Sequence, residues 1–332
     1  MKVFLCETIH KKAVGLLEAN GEIINDWDRI GEVDALISRA IKVGPAEMDK
    51  MPNLKVIAVH GTGTDGIDIV EARKRGIQVV YAPHLNANAV AELSVGLMLA
   101  VGRGIVRARQ VITDETVSVN DWASSDSAEM STGMKSDSER QAEAQALLYG
   151  MELRGKTCGI IGFGAIGKRI GEIVRCGFGM DVVAYSRSLT EEQAEAEDSQ
   201  RAESVEELLR TADVVCLSLP LTDATRGMIG AEQLAMMKPS AILINTSRGP
   251  LVDEAALYEA LAGGRITGAA SDVFCEGFPK PGNPLLELPN FVATPHIGAN
   301  TDEALYAVGM ACAEQIVDVL SGREAKYPVP VK

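Results

Sequence analysis

Arg248, Asp272, Glu276 and His296 each stand at or just beyond the end of a short apolar run: AILIN, GAAS, GAAS again and FVA. Open parallel sheets bind ligands beyond the carboxyl ends of their strands, so these positions are where chemistry is expected. A guanidinium there can pair with a substrate carboxylate and polarise the neighbouring carbonyl, the role expected of Arg248. An imidazole can give a proton to a developing alkoxide and take it back in the reverse direction, which is the role expected of His296. A carboxylate beside that imidazole, here Glu276, would hold the imidazolium and raise its pKa. The set suits the interconversion of a 2-keto acid and a 2-hydroxy acid. Each residue type alone is ordinary on a protein surface, and it is their joint placement that carries the expectation. His10 falls on an expected surface helix and is a poor candidate, whereas His60 and His84 flank an early glycine loop and stay open for substrate contact.

Such a reaction needs a hydride carrier, and the stretch Thr157 to Arg187 is built to bind one. It reads as a buried strand (Thr157–Ile161), a glycine turn, an amphipathic helix and a second strand (Asp181–Tyr185). Ile166, Ile170, Ile173 and Val174 recur at helical spacing, so one helix face can lie on a sheet. Gly162 permits the tight turn, Gly164 lets a pyrophosphate approach the backbone, and Gly167 lets helix and strand pack closely. Ala165, Ile166 and Gly167 then open the helix, whose N-terminal amides and dipole favour phosphate. About a tenth of the chain is Gly, so roughly one chance match to the glycine pattern is expected in three such chains. A second match exists in Gly61, Gly63 and Gly66. Asp65 would repel phosphate there and the helix that follows is shorter and more charged, so the dinucleotide is assigned to Gly162–Gly167.

The end of the second strand selects the dinucleotide. NAD enzymes carry Asp or Glu there, accepting from the ribose 2′-hydroxyl. This chain has Ser186, Arg187 and Ser188. A guanidinium with two hydroxyls suits a 2′-phosphate, so NADP is expected over NAD; the plainer alternative is an arginine stacked on adenine.

At 332 residues the chain has material for two domains. Hydrophobic residues make up 46% and charged residues 23%, the balance of a soluble globular protein. A net charge of −14 argues against non-specific nucleic-acid or anionic-membrane binding. Six dispersed cysteines without C-x-x-C pairs are expected to be mostly core residues in a reducing compartment, with no metal site. No run approaches a membrane span and the first residues lack signal-peptide architecture, so a cytoplasmic location is expected.

Strands alternate with helices along the chain, which implies parallel α/β sheets. Lys2–Cys6, Ala35–Ser38, Leu54–Val59 and Gln78–Tyr81 are expected strands of a first module, with helices over Ile9–Ala19 and Ile69–Arg75. Asn86 or Asn88 then caps a long apolar helix, AVAELSVGLMLAVGR, after which the pattern decays from Arg103. A Ser/Asp/Glu-rich excursion, about 120–143, reads as an exposed or disordered arm, with a lid or dimer arm as the functional alternative. In the second module, Val214–Leu219, Ala241–Asn245, Gly268–Val273 and Phe291–Ala293 are strands. Helices cover Val205–Arg210 and Asp253–Ala262, and Thr190–Ala202 reads as an acidic solvated helix. A final helix, Asp302 to Leu320, is long enough to return to the first module.

The runs HGTGTDGIDI, APHLNANAVAEL, ELRGKTCGIIGFGAIGKRI, LPLTDATRGMI, INTSRGPLVDEAAL, SDVF and NPLLELPNFVATPHIGANTDEAL together resemble the D-2-hydroxyacid dehydrogenase family over nearly the whole chain. That family includes 3-phosphoglycerate dehydrogenases and glyoxylate/hydroxypyruvate reductases. The resemblance implies an α/β protein of two doubly wound parallel-sheet domains, a Rossmann-type cofactor domain inserted into a flavodoxin-like substrate domain. Residues 1–101 and 301–332 would form the substrate domain, and 102–300 the cofactor domain. It implies Arg248, a Glu and His296 as the catalytic set. Cofactor contacts are implied from Pro220, Thr225, Thr246 and Asp272 besides the fingerprint, and substrate-carboxylate contacts from Gly61, Thr62, Gly63 and Asn86. A homodimer is implied as well. The family's catalytic Glu follows DVF after two residues, whereas DVFCEGFP leaves only one before Glu276, which a one-residue deletion would reconcile. The expected activity is reduction of a small 2-keto acid such as glyoxylate or hydroxypyruvate. A phosphorylated or sulfonated substrate would need further cations, for which Arg39 and His60 are available. The alternatives are an NAD-using 3-phosphoglycerate dehydrogenase, or a dinucleotide-sensing binding protein like the family's corepressors.

Overall fold

β-Branched tetrapeptides such as Val56–Val59 and Ile242–Asn245 are buried on both faces, as strands covered by helices on both sides must be. The computed structural model describes residues 1–39, 41–113 and 149–330, with backbone only over 110–113. The excursion expected at about 120–143 lies outside the described residues. Two units emerge, residues 1–90 with 299–332 and residues 91–298.

The first unit begins with β1 (Lys2–Leu5), α1 (Lys11–Glu18), β2 (Glu22–Ile24) and β3 (Ala35–Ser38). It continues with α2 (Pro45–Asp49), β4 (Val56–Val59), α3 (Ile69–Lys74) and β5 (Gln78–Tyr81). The five strands run parallel in the order β2-β1-β3-β4-β5, the flavodoxin-like arrangement. The three-residue β2 and the five-residue α2 are too short to leave a periodic signal. His10 is not on a surface helix: it is the N-cap of α1, its Nδ1 accepting from the Lys12 amide at 3.2 Å, and its side chain is only 9% exposed.

α4 (Ala87–Gly102) leads into the second unit, followed by α5 (Ile105–Thr113), a helix that the charges at Arg107 and Arg109 hide from the apolar pattern. Then come β6 (Thr157–Ile161), α6 (Ala165–Phe178), β7 (Asp181–Tyr185), α7 (Glu191–Glu195), β8 (Gln200–Arg201) and α8 (Val205–Thr211). β9 (Val214–Leu217), α9 (Ala231–Met236), β10 (Ile242–Asn245), α10 (Glu254–Ala262), β11 (Gly268–Ser271) and β12 (Phe291–Ala293) complete it. The acidic stretch read as one helix is thus a five-residue helix capped by Thr190 plus an edge strand. The seven parallel strands run β12-β11-β10-β9-β6-β7-β8. Counted from β6 this is a Rossmann order with one extra strand, and the order reverses between β6 and β9. The division falls at Val90/Ala91 rather than at 101/102 because Ala91, Val95, Leu97, Met98 and Val101 share a core with Ile160, Ile170 and Ile244. At the other end it falls at 298/299 rather than 300/301.

α11 (Asp302–Leu320) returns to the first unit, where Val308, Cys312 and Ile316 join Ala13, Leu17, Val56 and Ala58. Its buried Gln315 donates to the Tyr81 carbonyl at 3.0 Å and accepts from the Tyr327 amide at 2.8 Å. The tail that follows pairs with the edge strand β5 through Val80 and Pro328, covering backbone groups that an open edge would expose. Among the cysteines, Cys158, Cys216 and Cys312 are buried, whereas Cys176 and Cys275 are exposed, so core placement holds for half of them. No helix of the described residues is long and apolar enough to cross a membrane.

Candidate active site

β6 delivers the first fingerprint glycine to the switch point. Gly162 has φ 96° and donates its amide to the Tyr185 carbonyl at 2.8 Å; a Cβ there would lie 2.2 Å from the Ser218 carbonyl oxygen. A Cβ on Gly167 would lie 2.2 Å from the Gly162 carbonyl oxygen, so α6 packs on the turn only without a side chain. Gly164 differs. Nothing lies within 4 Å of a Cβ built on it, and it caps α6 without any side-chain hydrogen bond. Two crowded glycines around one that faces open space leave room at the N-terminus of a fourteen-residue helix, where a phosphate group could be held. The early glycine loop lacks these features. α3 starts only after Asp68, whose carboxylate already accepts from the Glu71 amide at 2.9 Å and so occupies the helix end.

β7 is followed by Ser186, Arg187 and Ser188, none of them a carboxylate. Arg187 is exposed and makes no hydrogen bond or ion pair with the described residues. After β9, Thr225 Oγ1 donates to the Pro220 carbonyl at 2.9 Å and accepts from the Thr222 amide at 2.8 Å, closing the turn that carries both residues. After β10, Thr246 Oγ1 lies 2.7 Å from Oγ of the fully buried Ser94 on α4.

The loops after β10, β11 and β12 hold the ionisable set. Asn245 shapes the first loop, donating from Nδ2 to the Arg248 carbonyl at 3.0 Å and accepting the Ser247 amide at 3.1 Å. Arg248 is half-buried and its Nη1 donates to the Ser247 carbonyl at 2.8 Å. At Gly249 a Cβ would fall 2.0 Å from the Phe274 carbonyl carbon, so the Arg248 loop passes directly against the loop after β11. Asp272, 1% exposed, accepts from Thr294 Oγ1 at 2.6 Å, from the Ile297 amide at 2.8 Å and from the Gly298 amide at 2.8 Å. His296 lies between those donors, exposed and with φ 58°.

Glu276 lies on an exposed turn. Its carboxylate is ion-paired with Lys280 and its side chain is 67% exposed. The cause is local. The Gly277 amide donates to the Phe274 carbonyl at 3.2 Å, which puts Cys275 and Glu276 at the tip of a reverse turn that Gly277 completes at φ 89°. Glu254 anchors the loop, accepting from the Cys275 amide at 2.6 Å.

In the first unit, Thr62 Oγ1 donates to Asn86 Oδ1 at 3.1 Å and the Ala82 amide donates to the Gly61 carbonyl at 3.0 Å, joining the loops after β4 and β5. Gly63 is exposed beside them. His60 is 6% exposed and its Nε2 has no hydrogen-bond partner. Burial first, and then the Arg39 charge, push its pKa down to about 4, so it is neutral near pH 7 and is not the cation expected of it. Asn245, Ser94 and Thr294 were not legible as site residues, since their partners lie far along the sequence or are backbone groups. Among the described residues no cluster of His, Cys, Asp or Glu could hold a metal ion.

Residues 95–298 match the family model described as D-isomer specific 2-hydroxyacid dehydrogenase, NAD binding domain. The chain belongs to this family. The matched region is the family's NAD binding domain, a domain for a nicotinamide dinucleotide. It is 38% identical over 338 residues to the D-3-phosphoglycerate dehydrogenase of Methanocaldococcus jannaschii, covering 99% of this chain and 59% of that one. The chain therefore spans about three fifths of that relative's length. A glyoxylate reductase of Thermococcus litoralis is also 38% identical, over 97% of this chain and 94% of its own. The solved structure of an NADPH-dependent glyoxylate/hydroxypyruvate reductase from Sinorhizobium meliloti, in complex with NADP and malonate, matches with a TM-score of 0.80. Its identity is 26%, over 99% of this chain and 96% of that one.

Proposed function

We propose that this chain is a 2-keto acid reductase, interconverting a small 2-keto acid such as glyoxylate or hydroxypyruvate with its D-2-hydroxy acid, and that it uses NADP(H) in preference to NAD(H). The observation that carries the proposal is the grouping of Arg248 and His296 beyond β10 and β12. These strands flank β11 in the sheet whose switch point holds the dinucleotide cradle. The bound dinucleotide supplies the hydride. Arg248 pairs with the substrate carboxylate and polarises the carbonyl. His296 gives its proton to the nascent alkoxide and recovers it in the oxidative direction. Gly61, Thr62, Gly63 and Asn86 bind the substrate carboxylate through backbone and amide groups. Glu276, engaged by Lys280, is left out of the set.

Preference for NADP(H) is supported by Arg187 between two serines with no carboxylate beside it. Small keto acids are favoured over phosphorylated ones because the neutral His60 leaves Arg39 as the sole cation of that pair. We further propose a homodimer, with residues 91–298 as the cofactor domain and the remainder as the substrate domain. Steady-state rates with a panel of 2-keto acids, each with NADPH and NADH, test the activity and the cofactor together. His296→Ala should lower kcat by roughly 10²–10⁴-fold. A loss below threefold removes His296 from its role, and a tenfold preference for NADH removes NADP(H) from its own.

A further inference from the structure

We infer that Asp272 is the positioning residue of His296: it clamps the 294–298 loop by three hydrogen bonds and holds the acid–base imidazole in place without touching substrate. The inference rests on the proposed role of His296 and deepens it.

His296 sits in a backbone conformation that a side chain disfavours, at φ 58°. Such a residue persists only where its surroundings over-determine it. Here they do so on both sides. Before it, the Thr294 amide donates to the Ser271 carbonyl at 3.0 Å, Thr294 Oγ1 donates to Asp272 Oδ1 at 2.6 Å, and Pro295 fixes its own φ. After it, the Ile297 amide donates to Asp272 Oδ1 and the Gly298 amide to Oδ2, both at 2.8 Å. The anchor is rigid, since Asp272 directly follows the buried β11, is itself 1% exposed, and donates its own amide to the Asn245 carbonyl of β10 at 2.9 Å.

A carboxylate has about four acceptor sites, and three of Asp272's are engaged by this loop. The arrangement suits a fixed negative end-stop that gathers the peptide units around the imidazole, and a catalytic group displaced by about 1 Å can lose on the order of 10²-fold in rate.

Asp272→Asn keeps the shape but turns an amide donor toward a backbone donor. The expected result is a 10- to 100-fold lower kcat at saturating NADPH. Amide hydrogen exchange across 294–299 should accelerate at least tenfold. Thr294→Val should lower kcat three- to tenfold without altering any charge, and Thr294→Ser should restore it. A kcat unchanged at saturating NADPH in Asp272→Asn would overturn the clamp, as would unchanged exchange at Ile297 and Gly298. If the wild-type chain reduces no keto acid, the proposed function fails while the exchange measurement still decides the clamp. If Asp272→Asn does not fold, the two Thr294 variants decide it.

Discussion

At pH 7 the imidazole of His60 is neutral because it is buried and because Arg39 lies near it, the pKa falling from 6.5 to about 4. A base whose pKa is lower in the folded chain than in the unfolded one favours folding fully above the unfolded value. That contribution is lost as pH falls from about 6.5 and is exhausted below about 4. The difference corresponds to roughly 3 kcal/mol at most, by 1.36 kcal/mol for each unit. Urea unfolding at pH 7.5 and pH 4.5 should therefore show the wild type losing roughly 2–3 kcal/mol more than His60→Gln, which cannot charge. Equal losses in the two proteins would mean that His60 gains a proton in the folded state as readily as in the unfolded one. The unpartnered Nε2 makes the same point in geometry: no acceptor stands ready to take a hydrogen bond from it when it is protonated. Nothing in the order of residues around VIAVHGTG reveals this, because the burial comes from β4 and from Gly309 on α11, 249 positions on.

α6 and its turn divide the work of the fingerprint between packing and binding. At Gly167 an added methyl would meet the Gly162 carbonyl oxygen at 2.2 Å, and neither backbone can move without displacing strand β6. Gly167→Ala is therefore expected to destabilise the protein by roughly 1–3 kcal/mol, the range of overpacking. At Gly164 the methyl meets nothing within 4 Å and φ is −84°, which any residue adopts. Gly164→Ala should change stability by less than about 0.5 kcal/mol, as an unencumbered surface substitution does, and yet weaken dinucleotide binding because the methyl fills the phosphate approach. Thermal melts with cofactor titrations separate the two variants. Equal destabilisation by both, or undiminished binding by Gly164→Ala, would undo this division. The packing roles of Gly162 and Gly167 could be read from G-x-G-x-x-G because that spacing encodes local geometry. Glu276 could not, because its fate depends on a turn whose closing hydrogen bond, from Gly277 to Phe274, no pattern of residue types announces.

Packed side chains cover both faces of each of the two sheets, and each sheet was legible to the extent that its elements carry local periodicity. The buried strands announce themselves as runs such as VIAV and ILIN, and α11 by a long apolar repeat, whereas β2, α2 and α9 are too short to do so. Strand order and the reach of Asp272 across 22 to 26 residues are tertiary facts that single-sequence patterns do not contain. The separateness of the cores has a thermodynamic consequence. Ile160, Ile170, Val214 and Ile244 belong to one set of packed side chains in residues 91–298, and Val3, Leu17, Val56 and Ile316 to another in the remainder. A dinucleotide that contacts only the second unit stabilises that unit by RT ln(1 + [L]/Kd), about 2.7 kcal/mol at a hundred times Kd. Amide exchange under mild denaturant, with and without saturating NADPH, should then slow by roughly 100-fold in β6, β9 and β10 while β1, β3 and β4 change several-fold less. Equal slowing in all six strands would show instead that the chain opens as one cooperative body.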